Sequence, residues 1–96
     1  MLENPSGDGT RLEALLLAGI ASQAARRDST AFARFREAQA LAPHDGRAYD
    51  YEARMLFASH DMVGARAVVE RGLRNVPGDK ALTQALQVLS QEAAKR

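Results

Sequence analysis

Ser59, His60 and Asp61 are the residue types of a nucleophile, a general base and an orienting carboxylate, and they lie side by side in the chain. Together they would suggest acyl transfer. Three consecutive residues on a turn, however, cannot place hydroxyl, imidazole and carboxylate in line, and Asp61 suits a helix N-cap better. His44 and His60 are the only histidines and no cysteine accompanies them, so a metal site is not expected. The missing cysteines also remove disulfides and thiolate nucleophiles. Arg26, Arg27, Arg34, Arg36, Arg66, Arg71 and Arg74 could address phosphates, but Asp28, Glu37 and Glu70 are interspersed among them without interleaved aromatics. Thirteen basic against twelve acidic side chains leave a formal net charge of +1, which gives no strong field toward nucleic acid or an anionic membrane. The expectation is a protein without catalytic residues, metal, cofactor or small-molecule substrate, and without a nucleic-acid or membrane partner.

Whatever these side chains do depends on the elements that carry them. Ninety-six residues make one small domain, and 46% apolar residues with only 5% aromatics favour closely packed helices over sheets. The longest apolar stretch, Ala14 to Ala18 followed by Gly19 to Ala21, is too short to span a bilayer, and the N-terminus lacks the pattern of a secretion signal. A cytoplasmic location is the resulting expectation. Residues 1–9, rich in Pro, Gly, Ser and Asp, read as a flexible tail, and residues 10–96 as a single helical domain. Thr10 and Glu13 form a T-x-x-E capping box at which a first helix is expected to start, running to about Arg26. Asp28 or Ser29 would cap a second helix to about Leu41. Ala42-Pro43-His44-Asp45-Gly46 and Val76-Pro77-Gly78-Asp79 are breaks. A third helix at 46–59, a fourth ending near Asn75 and a fifth at 80–94 complete the set. Connections this short require antiparallel neighbours.

Ala31, Phe35, Ala38 and Pro43 recur as Ala65, Val69, Gly72 and Pro77, each pair 34 residues apart. The small and large residues share one helix face, where the former admit a close neighbour and the latter fill the space between. This pattern resembles the tetratricopeptide repeat, a helix hairpin of this length with small residues in both helices, a large apolar residue in the second and a closing proline. Matched positions in the first helices are Leu15, Ala18, Gly19 and Ser22, then Tyr49, Glu52, Ala53 and Leu56; Ser22 and Glu52 depart most from the family pattern. The resemblance implies an all-α, short solenoid-like stack of antiparallel hairpins: a first repeat at 12–45, a second at 46–79 and a capping helix at 80–94. In the cap, Leu82, Ala85, Leu86, Leu89 and Ala93 form an apolar stripe, while Thr83, Gln84, Gln87, Ser90 and Gln91 are polar.

By the same resemblance, partners would lie in a concave groove lined by the first helix of each hairpin. Position by position that gives Glu13, Leu16, Leu17, Ile20 and Gln23, then Arg47, Asp50, Tyr51, Arg54 and Phe57. Arg54, Tyr51 and Phe57 are of the types enriched at binding hot spots. Family members that clamp a C-terminal carboxylate use Lys and Asn, whereas Leu16, Ile20 and Tyr51 stand at matching positions here. An amphipathic helix or mixed hydrophobic peptide of another protein is the expected ligand. Leu12, Leu15, Leu16, Leu17, Ile20 and several alanines surround most of the first helix, so self-association through it into a homodimer is the alternative expectation.

Overall fold

The computed structural model describes residues 7–95, with residues 7–9 described by backbone alone. Five helices lie along this span: α1 (Gly7–Ala24), α2 (Asp28–Leu41), α3 (Arg47–Ala58), α4 (Met62–Asn75) and α5 (Lys80–Ala94). Each packs on the next in sequence, and α3 also touches α5. No described helix is long and apolar enough to cross a membrane.

The ends differ from the sequence expectations at two places. Helix α1 takes in Gly7, Asp8 and Gly9, so Thr10 stands inside it and the expected capping box is not its start. The Glu13 carboxylate is instead drawn to Arg47 of α3, 2.7 Å away. Residues 1–6 of the expected tail lie outside the described residues. At α2 the N-cap is Arg27, without a side-chain bond, and Asp28 is already helical. Asp61 caps α4 as expected, accepting from the Gly64 amide, and Asp79 caps α5, accepting from the Leu82 amide; the N-cap of α3 is Gly46, without a side-chain bond, and Asp45 accepts from the Arg47 amide beside it.

The backbone itself repeats at the 34-residue offset. Arg26 and His60, closing α1 and α3, both take left-handed φ near 63–64°. The following amides of Arg27 and Asp61 reach back five residues to the Ser22 and Leu56 carbonyls, each at 2.8 Å, a Schellman-type closure. Ala42 and Val76, ending α2 and α4, match within a degree at φ −136° and −135° and ψ 74° and 73°.

Two apolar clusters form the core, and α3 is the wall between them. Ala48 and Met55 join Leu12, Leu16, Ala31, Phe35 and Ala38, whereas Tyr49 and Ala53 join Ala65, Val68, Val69, Leu82 and Leu89. Close approach of α1 and α2 rests on Gly19, where a Cβ would overlap the fully buried Phe35 ring. Burying that ring contributes about 1.5–3 kcal/mol.

Candidate functional site

A groove of about 300 Å³ opens between α3 and α5. Asp50, Ala53, Arg54 and Phe57 line one side, at the helical spacing that puts them on one face of α3; Ala81, Gln84, Ala85, Val88 and Leu89 line the other. Its apolar floor is flanked by one carboxylate, one guanidinium and one amide. Arg54 Nε lies 3.1 Å from Asp50 Oδ2 across one turn of α3, an ion pair, and the guanidinium remains largely in water. Val88 is 46% exposed. Such a groove can take an apolar side chain while Arg54 and Gln84 meet carbonyls or a carboxylate beside it.

The ten residues expected to bind a partner separate into four groups. Asp50, Arg54 and Phe57 line the groove together. Arg47 is engaged: its guanidinium lies 2.8 Å from Asp45 and 2.7 Å from Glu13, tying α1 to the start of α3. The hydrogen bond from Arg47 holds the Asp45 carboxyl below its ordinary value of 3.8 against an opposing push from burial, while Asp45 and then Glu13 push the Arg47 guanidinium up. Leu16, 3% exposed, and Tyr51, half-buried with its ring 5.5 Å from that of Phe35, pack inward. Their place is in the first core cluster, because Phe35 of α2 reaches both helices. Leu17, Ile20 and Gln23 are exposed on α1 and are not part of the groove lining.

No known family matches this chain. No curated protein and no solved structure matches it either.

The α5 wall was missed by sequence reasoning because Ala81, Gln84 and Val88 are unremarkable singly. Their spacing on the face flanking the Leu82–Leu89 stripe was the available signal. A second unforeseen arrangement surrounds Glu52, whose carboxylate is 1% exposed. Gln39 Nε2 donates to Glu52 Oε1 at 2.6 Å, and Arg36 Nε donates to Oε2 at 3.1 Å. Arg71 Nη2 donates to Gln39 Oε1 at 2.9 Å and stands 3.5 Å from Glu52 Oε1. Residues from α2, α3 and α4 thus meet on one buried anion, which explains the acidic residue at a position that otherwise holds an apolar one.

The remaining candidates serve the backbone. Ser59 Oγ donates to the Met55 carbonyl at 3.1 Å, Asp61 caps α4, and His44 Nδ1 lies 3.1 Å from the Asn75 carbonyl.

Proposed function

We propose that this chain is a non-catalytic protein-interaction module that receives an apolar side chain from a peptide or helix of a partner protein in the α3–α5 groove. The observation that carries this reading is the groove itself: an apolar floor between two helices, with Arg54 and Gln84 at its rim and Val88 exposed. The 34-residue recurrence supports the finer architectural reading, a short solenoid-like stack in which α3 and α5 hold equivalent places in successive units.

Selection of peptides from a random library on the full chain, followed by amide chemical-shift mapping, tests the function. Ligands carrying a large apolar anchor should shift the resonances of Phe57, Gln84 and Val88. Val88→Asp should weaken them at least about tenfold, in line with the loss of an interface anchor, while far-UV circular dichroism stays unchanged. Shifts confined to other surfaces, or binding indifferent to Val88→Asp, would refute the assignment.

A further inference from the structure

Ala14, Leu17, Ala18 and Ala21 of α1 correspond at the 34-residue offset to Ala48, Tyr51, Glu52 and Met55 of α3, and one step further to Leu82, Ala85, Leu86 and Leu89 of α5. On α3 and α5 all eight positions are buried or half-buried. The α3 set meets α2: Tyr51 stacks on Phe35, Glu52 accepts from Gln39 and Arg36, and Ala48 and Met55 join the cluster of Phe35 and Ala38. The α5 set lies in or against the cluster containing Ala65, Val68 and Val69 of α4. On α1 the same four residues are exposed, Leu17 at 64%. Among the described residues this face is covered by a helix twice and left bare once.

Within the described residues, neither α2 nor α4 is free to supply that cover to another copy, since α3 lies on one and α5 on the other. Helix α5 turns Lys80, Thr83, Gln84 and Gln87 outward, so a copy stacked head to tail would set the apolar α1 face on a polar surface. What a second copy can offer is its own α1 face.

We propose that a second copy of this chain covers the α1 face, the two α1 helices packing antiparallel about a two-fold axis near Ala18 and Ala21. Residues 14–25 contain no ionisable side chain, so like faces meet without repulsion. The stripe is self-complementary: Leu17 of each copy meets small residues, Ala21 and Ala24, of the other. Charge sets the direction. A parallel arrangement would set Arg26 and Arg27 of one copy against those of the other, whereas the antiparallel one holds them at opposite ends of the stripe. With the axis near Ala18 and Ala21 the two α1 helices overlap along residues 15–24, about 15 Å, and share a strip about 10 Å wide, roughly 150 Å² per copy. The total is about a quarter of the lower limit of roughly 1,200 Å² for stable complexes. The dimer is therefore weak and reversible.

Sedimentation velocity on the full chain from about 10 μM to about 1 mM should show the mass climbing from monomer toward dimer. Leu17→Glu, at an exposed position, should leave helicity unchanged and weaken association at least tenfold, about 1.4 kcal/mol or more. In this cysteine-free chain, Ala21→Cys should cross-link on mild oxidation and Gln87→Cys should not. A monomer at about 1 mM would overturn the proposal and leave the face to a helix of a different polypeptide. A dimer unaffected by Leu17→Glu, or one that cross-links equally through Gln87→Cys, would overturn it as well.

Discussion

The α2–α3 and α4–α5 junctions occupy the same chain register, yet one is polar at its centre and the other apolar. Glu52 stands in the first where Leu86 stands in the second. Glu52 gathers Gln39, Arg36 and Arg71 around a carboxylate withdrawn from water. At the second junction Leu82 fits against Gly72 and Tyr49, so closely that a Cβ at Gly72 would come within 2.8 Å of Leu82 Cδ1 and 2.9 Å of Tyr49 Cβ. The lesson is that helix register fixes where two helices meet without fixing the chemistry of their contact. An apolar junction gains from area removed from water, an effect without direction. A hydrogen-bonded anion demands one geometry, since every donor left unpaired in the core costs about 1–3 kcal/mol.

The largest expected effect comes from breaking the apolar junction. Leu82→Ala removes a fully buried side chain from between α4, α5 and Tyr49. Urea unfolding should show a loss of about 3–4 kcal/mol, within the range for buried leucine truncations. Next is the polar junction made to imitate the apolar one. Glu52→Leu leaves the buried Gln39 amide with only its 3.4 Å bond to the Ala48 carbonyl and should cost about 1–3 kcal/mol, the penalty of a buried donor left unpaired, because Arg36 and Arg71 can turn to water. Adding Gln39→Leu should recover at least half of that loss, as replacing both partners removes the unsatisfied group. A double variant no more stable than Glu52→Leu alone would mean that the guanidiniums, and not the amide, carry the cost.

The smallest effect concerns the exposed counterpart of these junctions, where Arg47 ties Glu13 of α1 to α3. Asp45→Asn removes one of the two carboxylates that hold Arg47 and should cost a few tenths of a kcal/mol at neutral pH, as for exposed pairs. The Asp45 pKa lies below 3.8 in the folded chain, so its contribution is present above that pH and fades as pH falls through the lower folded value. Acid unfolding of Asp45→Asn should accordingly be less steep below pH 3.8, and an unchanged acid limb would show that the bond to Arg47 adds nothing to stability.

Much of the fold was legible in the residues. Asp61 and Asp79 mark helix starts because the capping bond closes within three residues, and Pro43 and Pro77 follow helix ends because a proline disfavours helical geometry just before it. The Thr10–Glu13 box misled because an identical local signal loses its meaning when Arg47, distant in sequence, takes the carboxylate. The closures at Arg26 and His60 went unread because neither is the glycine that usually marks a left-handed residue.

For the candidate site, sequence spacing grouped Asp50, Arg54 and Phe57 on one face of α3, since a helix face is fixed by periods of three and four residues. It could not tell Leu16 from Leu17: both belong to an apolar helix, and only packing against Phe35 decided that the first is buried while the second faces solvent. By itself, the sequence determined the helices, their repeat and the polar outer side of α5, all properties of residues within one or two turns of each other. The tertiary structure alone decided that α5 is a groove wall, that Glu52 is a hub and that one face of α1 is left uncovered by the other described helices, because each depends on which side chains distant in the chain arrive at the same place.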